Sequence, residues 1–93
     1  MIKNFKCKET EKIWHGEFSK KFPAELQEIM RRKLKVLNRS TLLEDLRSPP
    51  GNRLEGLYGN REGQYSIRIN QRYRICFRFI EGDSYFVELV DYH

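Results

Sequence analysis

Apolar residues recur with two different spacings along this chain, and the change between them falls near its middle. In the first half they return every three or four positions, the repeat of a helix face. In the second they alternate with polar residues, as in a strand with one buried side. The clearest helical stretch carries Leu26, Ile29, Met30, Leu34 and Leu37, with Glu25, Glu28, Arg31, Arg32 and Lys35 among them. Pro23 suits the first turn of that helix, where a missing N–H costs nothing. A shorter helix is expected from Lys8 to Phe18, with Trp14 and Phe18 on one face and Cys7 and Glu11 extending it. Ile2 to Lys6 reads as a short opening strand. Thr41 and Glu44 have capping-box spacing ahead of a short third helix that includes Leu42, Leu43 and Leu46. The run Ser48-Pro49-Pro50-Gly51-Asn52 then ends helical structure and changes the type of element.

Three alternating runs follow: Tyr65, Ile67, Ile69; then Tyr73, Ile75, Phe77, Phe79; then Tyr85, Val87, Leu89. Turn residues separate them at Asn70-Gln71-Arg72 and at Glu81-Gly82-Asp83. Arg53 to Leu57 adds a strand before them, and Gly59 and Gly63 bracket its turn. A one-residue slip would turn every apolar side chain to the wrong face, so the loops set the register. A three-residue loop at Asn70–Arg72 pairs Ile69 with Tyr73, Ile67 with Ile75 and Tyr65 with Phe77. A second, at Glu81–Asp83, pairs Phe79 with Tyr85, Phe77 with Val87 and Ile75 with Leu89. Both gather the large apolar residues where helices can cover them.

The same register fixes the opposite face. Arg68 lies across from Arg74, Arg78 follows on the same strand, and Tyr92 falls diagonally beside Arg74. Like charges directly opposite on a sheet cost up to about 1 kcal/mol. A bound phosphate would relieve that repulsion; alternatively the Arg stems lie over Phe86 and Val90 and reach Glu88 or water.

Composition narrows the class. Ninety-three residues make one domain, 1–93, because so short a chain cannot divide its core. Eighteen Lys and Arg against thirteen Asp and Glu leave a net charge of +5, which suits a polyanionic partner, although a solvated basic surface has the same count. Cys7 and Cys76 form no CxxC pair and no Cys/His cluster of metal-ligand spacing, so zinc is not expected and both read as buried, reduced thiols. The opening residues have no apolar signal-peptide core and no run has the length of a membrane span, so a cytoplasmic protein is expected.

Three stretches carry a family likeness: Gly59-Asn60-Arg61-Glu62-Gly63-Gln64-Tyr65-Ser66-Ile67-Arg68-Ile69-Asn70, Tyr73-Arg74-Ile75-Cys76-Phe77-Arg78-Phe79, and the ending Asp91-Tyr92-His93. With Met1-Ile-Lys-Asn-Phe-Lys and Pro49-Pro50-Gly51-Asn52-Arg53-Leu54, they resemble the HigB-type toxins of the RelE superfamily over nearly the whole chain. The resemblance implies a compact α+β fold, with N-terminal helices on one face of a mainly antiparallel sheet and an open basic face opposite. It also implies metal-free cleavage of mRNA in translating ribosomes. The implied partners are a HigA-like helix-turn-helix antitoxin and, through it, operator DNA, with no cofactor and no membrane.

Metal-free RNA cleavage uses the 2′-hydroxyl as nucleophile and needs a base, an acid and fixed positive charge at the phosphate. Arg74 matches the strand arginine of the family and can hold two phosphate oxygens. His93 suits the acid, having an ordinary pKa close to neutrality. Tyr92 suits orienting the phosphate or stacking on a base, and Asp91 orienting its neighbours. Arg68, Arg78, Arg61 and Tyr58 are the remaining expected RNA contacts. The chain departs from some relatives by having Glu55 and Tyr58 where they carry His and Lys. Glu55 is either the base, as in some RelE-like toxins, or a solvated strand-end carboxylate. His15, beside Trp14, reads as structural or solvent-facing. The basic clusters Lys20-Lys21 and Arg31-Arg32-Lys33 read as solvated flanks or as grips for ribosomal RNA. Two other classes stay open: a toxin that binds DNA gyrase without cutting RNA, and a plain nucleic-acid-binding module.

Overall fold

The computed structural model describes residues 1–91, in which two α-helices and a four-stranded antiparallel sheet are joined by loops and short 3-10 turns. Helix α1 spans Lys8–Trp14 and helix α2 Gln27–Arg39; strands β1 Glu55–Gly56, β2 Tyr65–Arg68, β3 Tyr73–Ile80 and β4 Asp83–Asp91 pair in chain order. Helices α1 and α2 pack on each other and on β4. Ile13, Met30, Leu34 and Leu37 meet Ile67, Ile75, Phe77, Val87 and Leu89 in one core.

Helix α1 is shorter than its expected span, and the cause is local. Gly16 has φ of +81°, its N–H donates to the Ile13 carbonyl, and the Glu17 N–H donates to Lys12. That pair of bonds closes the helix in a left-handed C-terminal turn. Phe18 therefore leaves the helix and lies mostly exposed, and Ile13 is the residue buried from this element. Pro23 precedes a single 3-10 turn, Ala24–Leu26, which leads into α2. The third helix is also 3-10, Leu43–Arg47, and its cap differs from the expected one. Asp45 accepts from the Thr41 and Leu42 backbone N–H groups, whereas Glu44 faces Arg47 at 2.9 Å. Helical geometry does not stop at the prolines either, because Pro50–Asn52 form one more 3-10 turn.

The opening segment does pair with the sheet, but as two isolated parallel bridges, Ile2 with Ser84 and Phe5 with Val87 on the outer edge of β4. Asn38 of α2 accepts from the Ile2 N–H, and Thr10 of α1 accepts from the Leu89 N–H. An edge that would otherwise present bare backbone is thereby covered.

The β2–β3 register is the expected one, with Tyr65 opposite Phe77, Ile67 opposite Ile75 and Arg68 opposite Arg74. On β4 only half of the expected register holds. Ile75 faces Leu89 and Cys76 faces Glu88, but beyond a bulge Arg78 faces Tyr85 and Phe79 faces Ser84. The hairpin closes through Glu81 and Gly82, both at positive φ, a two-residue turn matched to strand twist. The shortened loop is compensated by Phe86, whose φ of +54° marks the extra residue. Tyr85 thus moves to the polar face, and Ser84 enters the core side with a buried hydroxyl that has no hydrogen-bond partner among the described residues. No helix among the described residues is long and apolar enough to cross a membrane.

Candidate active site

Strand alternation places Ser66, Arg68, Arg74, Cys76 and Glu88 on the sheet face away from the core. Arg74 is at its centre and is only 9% exposed. Burial of a guanidinium requires partners for its donors, and among the described residues Ser66, Arg53 and Glu55 converge here. Nε donates to Ser66 Oγ at 2.7 Å, and one terminal nitrogen donates to the Arg53 carbonyl at 2.6 Å and pairs with Glu55 Oε1 at 2.8 Å. Ser66 is next in line on β2, Glu55 faces Ser66 across the β1–β2 ladder, and Arg53 just precedes β1. The β2–β3 register brings Ser66 to Arg74, the β1–β2 pairing adds Glu55, and the Arg53 carbonyl arrives from the turn before β1.

The Arg74–Glu55 pair is asymmetric: its cation is buried, while the carboxylate side chain is 60% exposed. Glu55 is both the counter-ion of Arg74 and reachable from solvent. The repulsion expected between Arg68 and Arg74 is accordingly met within the chain, by Glu55 for Arg74 and by the Asn70 carbonyl, 3.0 Å from Arg68 Nε. The face is built over Arg74 and is not bare at that point.

The other expected contacts are distributed around it. Arg61 donates to Glu88 at 3.0 Å and to Gln64 at 3.2 Å, so it ties the Gly59–Arg61 turn to β4; Lys6 also reaches Glu88, at 3.5 Å. Glu88 is thus engaged by Arg61 and Lys6. The Arg78 guanidinium lies against Gly63, and the φ of +89° at Gly63 is what favours glycine there. Tyr58 is 88% exposed, a free-standing ring at the start of the same turn. Asp91 is held by Arg72 through three contacts of 2.7–3.0 Å, which push the Arg72 guanidinium's pKa up and tie the end of β4 to the β2–β3 turn. Tyr92 and His93, the expected phosphate-orienting group and acid, lie outside the described residues.

Neither thiol acts at this centre. Burial pushes the Cys76 thiol up, against the opposing pull of Arg61, and keeps it neutral beside Arg74. Cys7 is half-buried at the start of α1. Its partial burial opposes ionisation, but the Thr10 and Glu9 backbone N–H groups outweigh that and lower its pKa. His15 is exposed and lies 3.6 Å from Glu11 on its own helix, in line with a solvent-facing reading.

Sequence reasoning missed Ser66 and Arg53. Ser66 was accessible to it, since the register that aligned Arg68 with Arg74 also puts Ser66 on that face. Arg53 was not: its carbonyl reaches Arg74 because the residue is left-handed, at φ of +45°, after a 3-10 turn.

Comparison with known proteins bears on this arrangement. A family model described as the RelE-like toxin of type II toxin–antitoxin system HigB matches residues 3–93. The chain is 37% identical over 83 residues to Toxin HigB-1 of Vibrio cholerae serotype O1, covering 88% of this chain and 87% of the relative. It is 32% identical to Endoribonuclease HigB of Proteus vulgaris over 93 residues and the full length of both. Among solved structures, the YoeB-YefM complex from Staphylococcus aureus contains a chain with the same fold, at a TM-score of 0.62 and 19% identity, covering 100% of this chain and 95% of that one. The match over almost every residue, with the fold it demands, places this chain in the HigB-like toxin family.

Proposed function

We propose that this chain is the toxin of a type II toxin–antitoxin pair and acts in the cytoplasm as a ribosome-dependent, metal-independent mRNA endonuclease. The observation that carries the reading is Arg74: a guanidinium buried at the centre of the polar face, oriented by Ser66 and the Arg53 carbonyl, beside the exposed carboxylate of Glu55. The likeness to Endoribonuclease HigB over full length supports the reaction class.

In this scheme Arg74 meets the scissile phosphate and stabilises charge as it builds on the phosphorane. Glu55, already within ion-pair distance of Arg74, takes the 2′ proton, and the 2′ oxygen attacks phosphorus while the 5′ oxygen leaves. His93 supplies the proton to that 5′ oxygen, and Tyr92 orients the phosphate. Asp91 contributes by anchoring the strand end just before them, through Arg72. Tyr58, Arg61, Arg68 and Arg78 line the approach of the RNA. A HigA-like helix-turn-helix antitoxin neutralises the toxin and carries it to operator DNA.

Mapping transcript 5′ ends in bacteria that express the wild-type chain or Arg74→Ala tests the reading. Cuts inside translated codons are expected that need Arg74 and vanish when translation initiation is blocked. Growth arrest without such cuts points instead to a target such as DNA gyrase. For Glu55, the pH–rate profile of Glu55→Gln is the discriminating measurement. Loss of the limb belonging to the base, with a fall of about 10²-fold or more, is expected; an unchanged limb removes Glu55 from that role.

A further inference from the structure

The turn between β2 and β3 closes over a recess that is lined by Arg53, Arg68, Asn70, Gln71 and Arg74. Three guanidinium-bearing residues from three separate places line one concavity: Arg53 after a 3-10 turn, Arg68 at the end of β2 and Arg74 opposite it. Among the described residues no carboxylate lines it. Arg74 has Glu55, but among the described residues neither Arg53 nor Arg68 has a carboxylate within ion-pair distance. Among the described residues the Arg68 side chain donates to the neutral Asn70 carbonyl. Asn70 itself fixes the turn, its side-chain oxygen accepting from the Arg72 and Tyr73 N–H groups at 2.8 Å, while Gln71 stands exposed at the rim.

Arg53 is unusual in a second respect. It is a non-glycine residue at φ of +45°, a conformation for which glycine is the default. The backbone there supplies the carbonyl that holds Arg74, a job glycine would do without strain. An exposed cation at that position, lining a recess together with Arg68 and Arg74, suits an anion that enters it. Arg74 has its counter-ion in Glu55, whereas Arg53 and Arg68 have no carboxylate partner among the described residues, so an anion entering the recess would meet their charge.

We propose that Arg53 and Arg68 form a second phosphate subsite, distinct from the one at Arg74, which grips a backbone phosphate adjacent to the scissile linkage. The identity of the ligand rests on the RNA-cleaving reading above; the site itself rests on Arg53 and Arg68, which share the recess without a carboxylate partner among the described residues. Holding two successive phosphates fixes the strand in both position and direction, which a single contact at Arg74 cannot do.

The test is an NMR titration of the isotope-labelled full chain with an RNA trinucleotide whose 2′-hydroxyls are all methylated, so that it cannot be cut. A second trinucleotide carries one neutral methylphosphonate linkage, and inorganic phosphate is titrated separately. Wild type is expected to lose affinity roughly tenfold when that linkage is neutralised, as for one charged hydrogen-bonding contact. Arg53→Gly keeps the left-handed backbone and the carbonyl for Arg74, yet is expected to bind the charged RNA roughly tenfold more weakly. It should then be indifferent to the neutral linkage and show a salt slope shallower by about 0.7. Arg53→Lys should restore most of the affinity, and Arg68→Gln should repeat the Arg53→Gly result if that variant does not fold.

Equal sensitivity of wild type and Arg53→Gly to the neutral linkage overturns the subsite. So does a wild type that binds inorganic phosphate at Arg53 but ignores the RNA linkage, or one that binds no RNA at millimolar concentration. Because the readout is binding, it separates from the cleavage reading. Coupled binding without transcript cuts sinks the nuclease and leaves the subsite, whereas cuts without coupling do the reverse.

Discussion

The two faces of the sheet reach similar burial by different physics. On the core face Ile67, Ile75, Phe77, Val87 and Leu89 disappear beneath α1 and α2, and the stabilising term is apolar area removed from water. On the other face Ser66 and Cys76 are fully buried and Arg74 nearly so, under ion pairs and hydrogen bonds that strap β1, the Gly59–Arg61 turn and the N-terminal segment across the strands. Apolar packing is tolerant of partners, since any side chain of suitable volume contributes. Polar packing is not, because every donor must find its own acceptor. The second face is therefore fixed in detail, which is what a site that aims charge at a phosphate requires.

The contrast can be broken from either side. Leu34→Ala opens a cavity under α2, where the side chain is fully buried, and is expected to cost about 2–5 kcal/mol in denaturant unfolding. A smaller loss would mean that α2 collapses onto the gap and the core is more forgiving than its burial implies. Glu88→Gln removes the charge that holds both Arg61 and Lys6, and is expected to cost about 1 kcal/mol, since both pairs are partly exposed. Its effect should shrink in high salt, whereas that of Leu34→Ala should not. Ser84→Ala has the smallest expected effect and the opposite sign. Its hydroxyl is buried on the apolar side without a partner, so deletion should leave stability unchanged or raise it by up to about 1 kcal/mol. A destabilised Ser84→Ala would show that the hydroxyl is satisfied in solution, and that the faces are less cleanly divided there.

Where the sequence was legible, a single periodic rule governed the outcome. The β2–β3 pairing followed from alternation plus one loop length, and with it came the opposition of Arg68 and Arg74. Alternation failed at β3–β4 because the preferred two-residue turn at Glu81-Gly82 and the helix-facing pattern of Val87 and Leu89 demand registers one residue apart. The bulge at Phe86 satisfies both. Asn4 is part of that solution, accepting from the Phe86 N–H at 2.6 Å, and it comes from the far end of the chain. No local rule could have placed it.

The candidate site divides in the same way. That Arg74 stands on a polar face with Arg68 was readable from alternation and one loop length. That Glu55 is the counter-ion of Arg74 depended on a strand of only two residues, too short to announce its own register. The clamp of Arg61 on Glu88 depended on a loop folding back over β4.

By itself the amino-acid sequence determined the helix-then-strand order, the core residues of α2 and the first hairpin, the basic balance and the family. These depend on interactions a few residues apart or on the count of side chains, which a one-dimensional pattern carries. Only the tertiary structure decided the end of α1, the bulge, the cover of β4 and the partners of Arg74. Each of these joins backbone or side-chain groups whose pairing is settled by which donors would otherwise be buried without an acceptor.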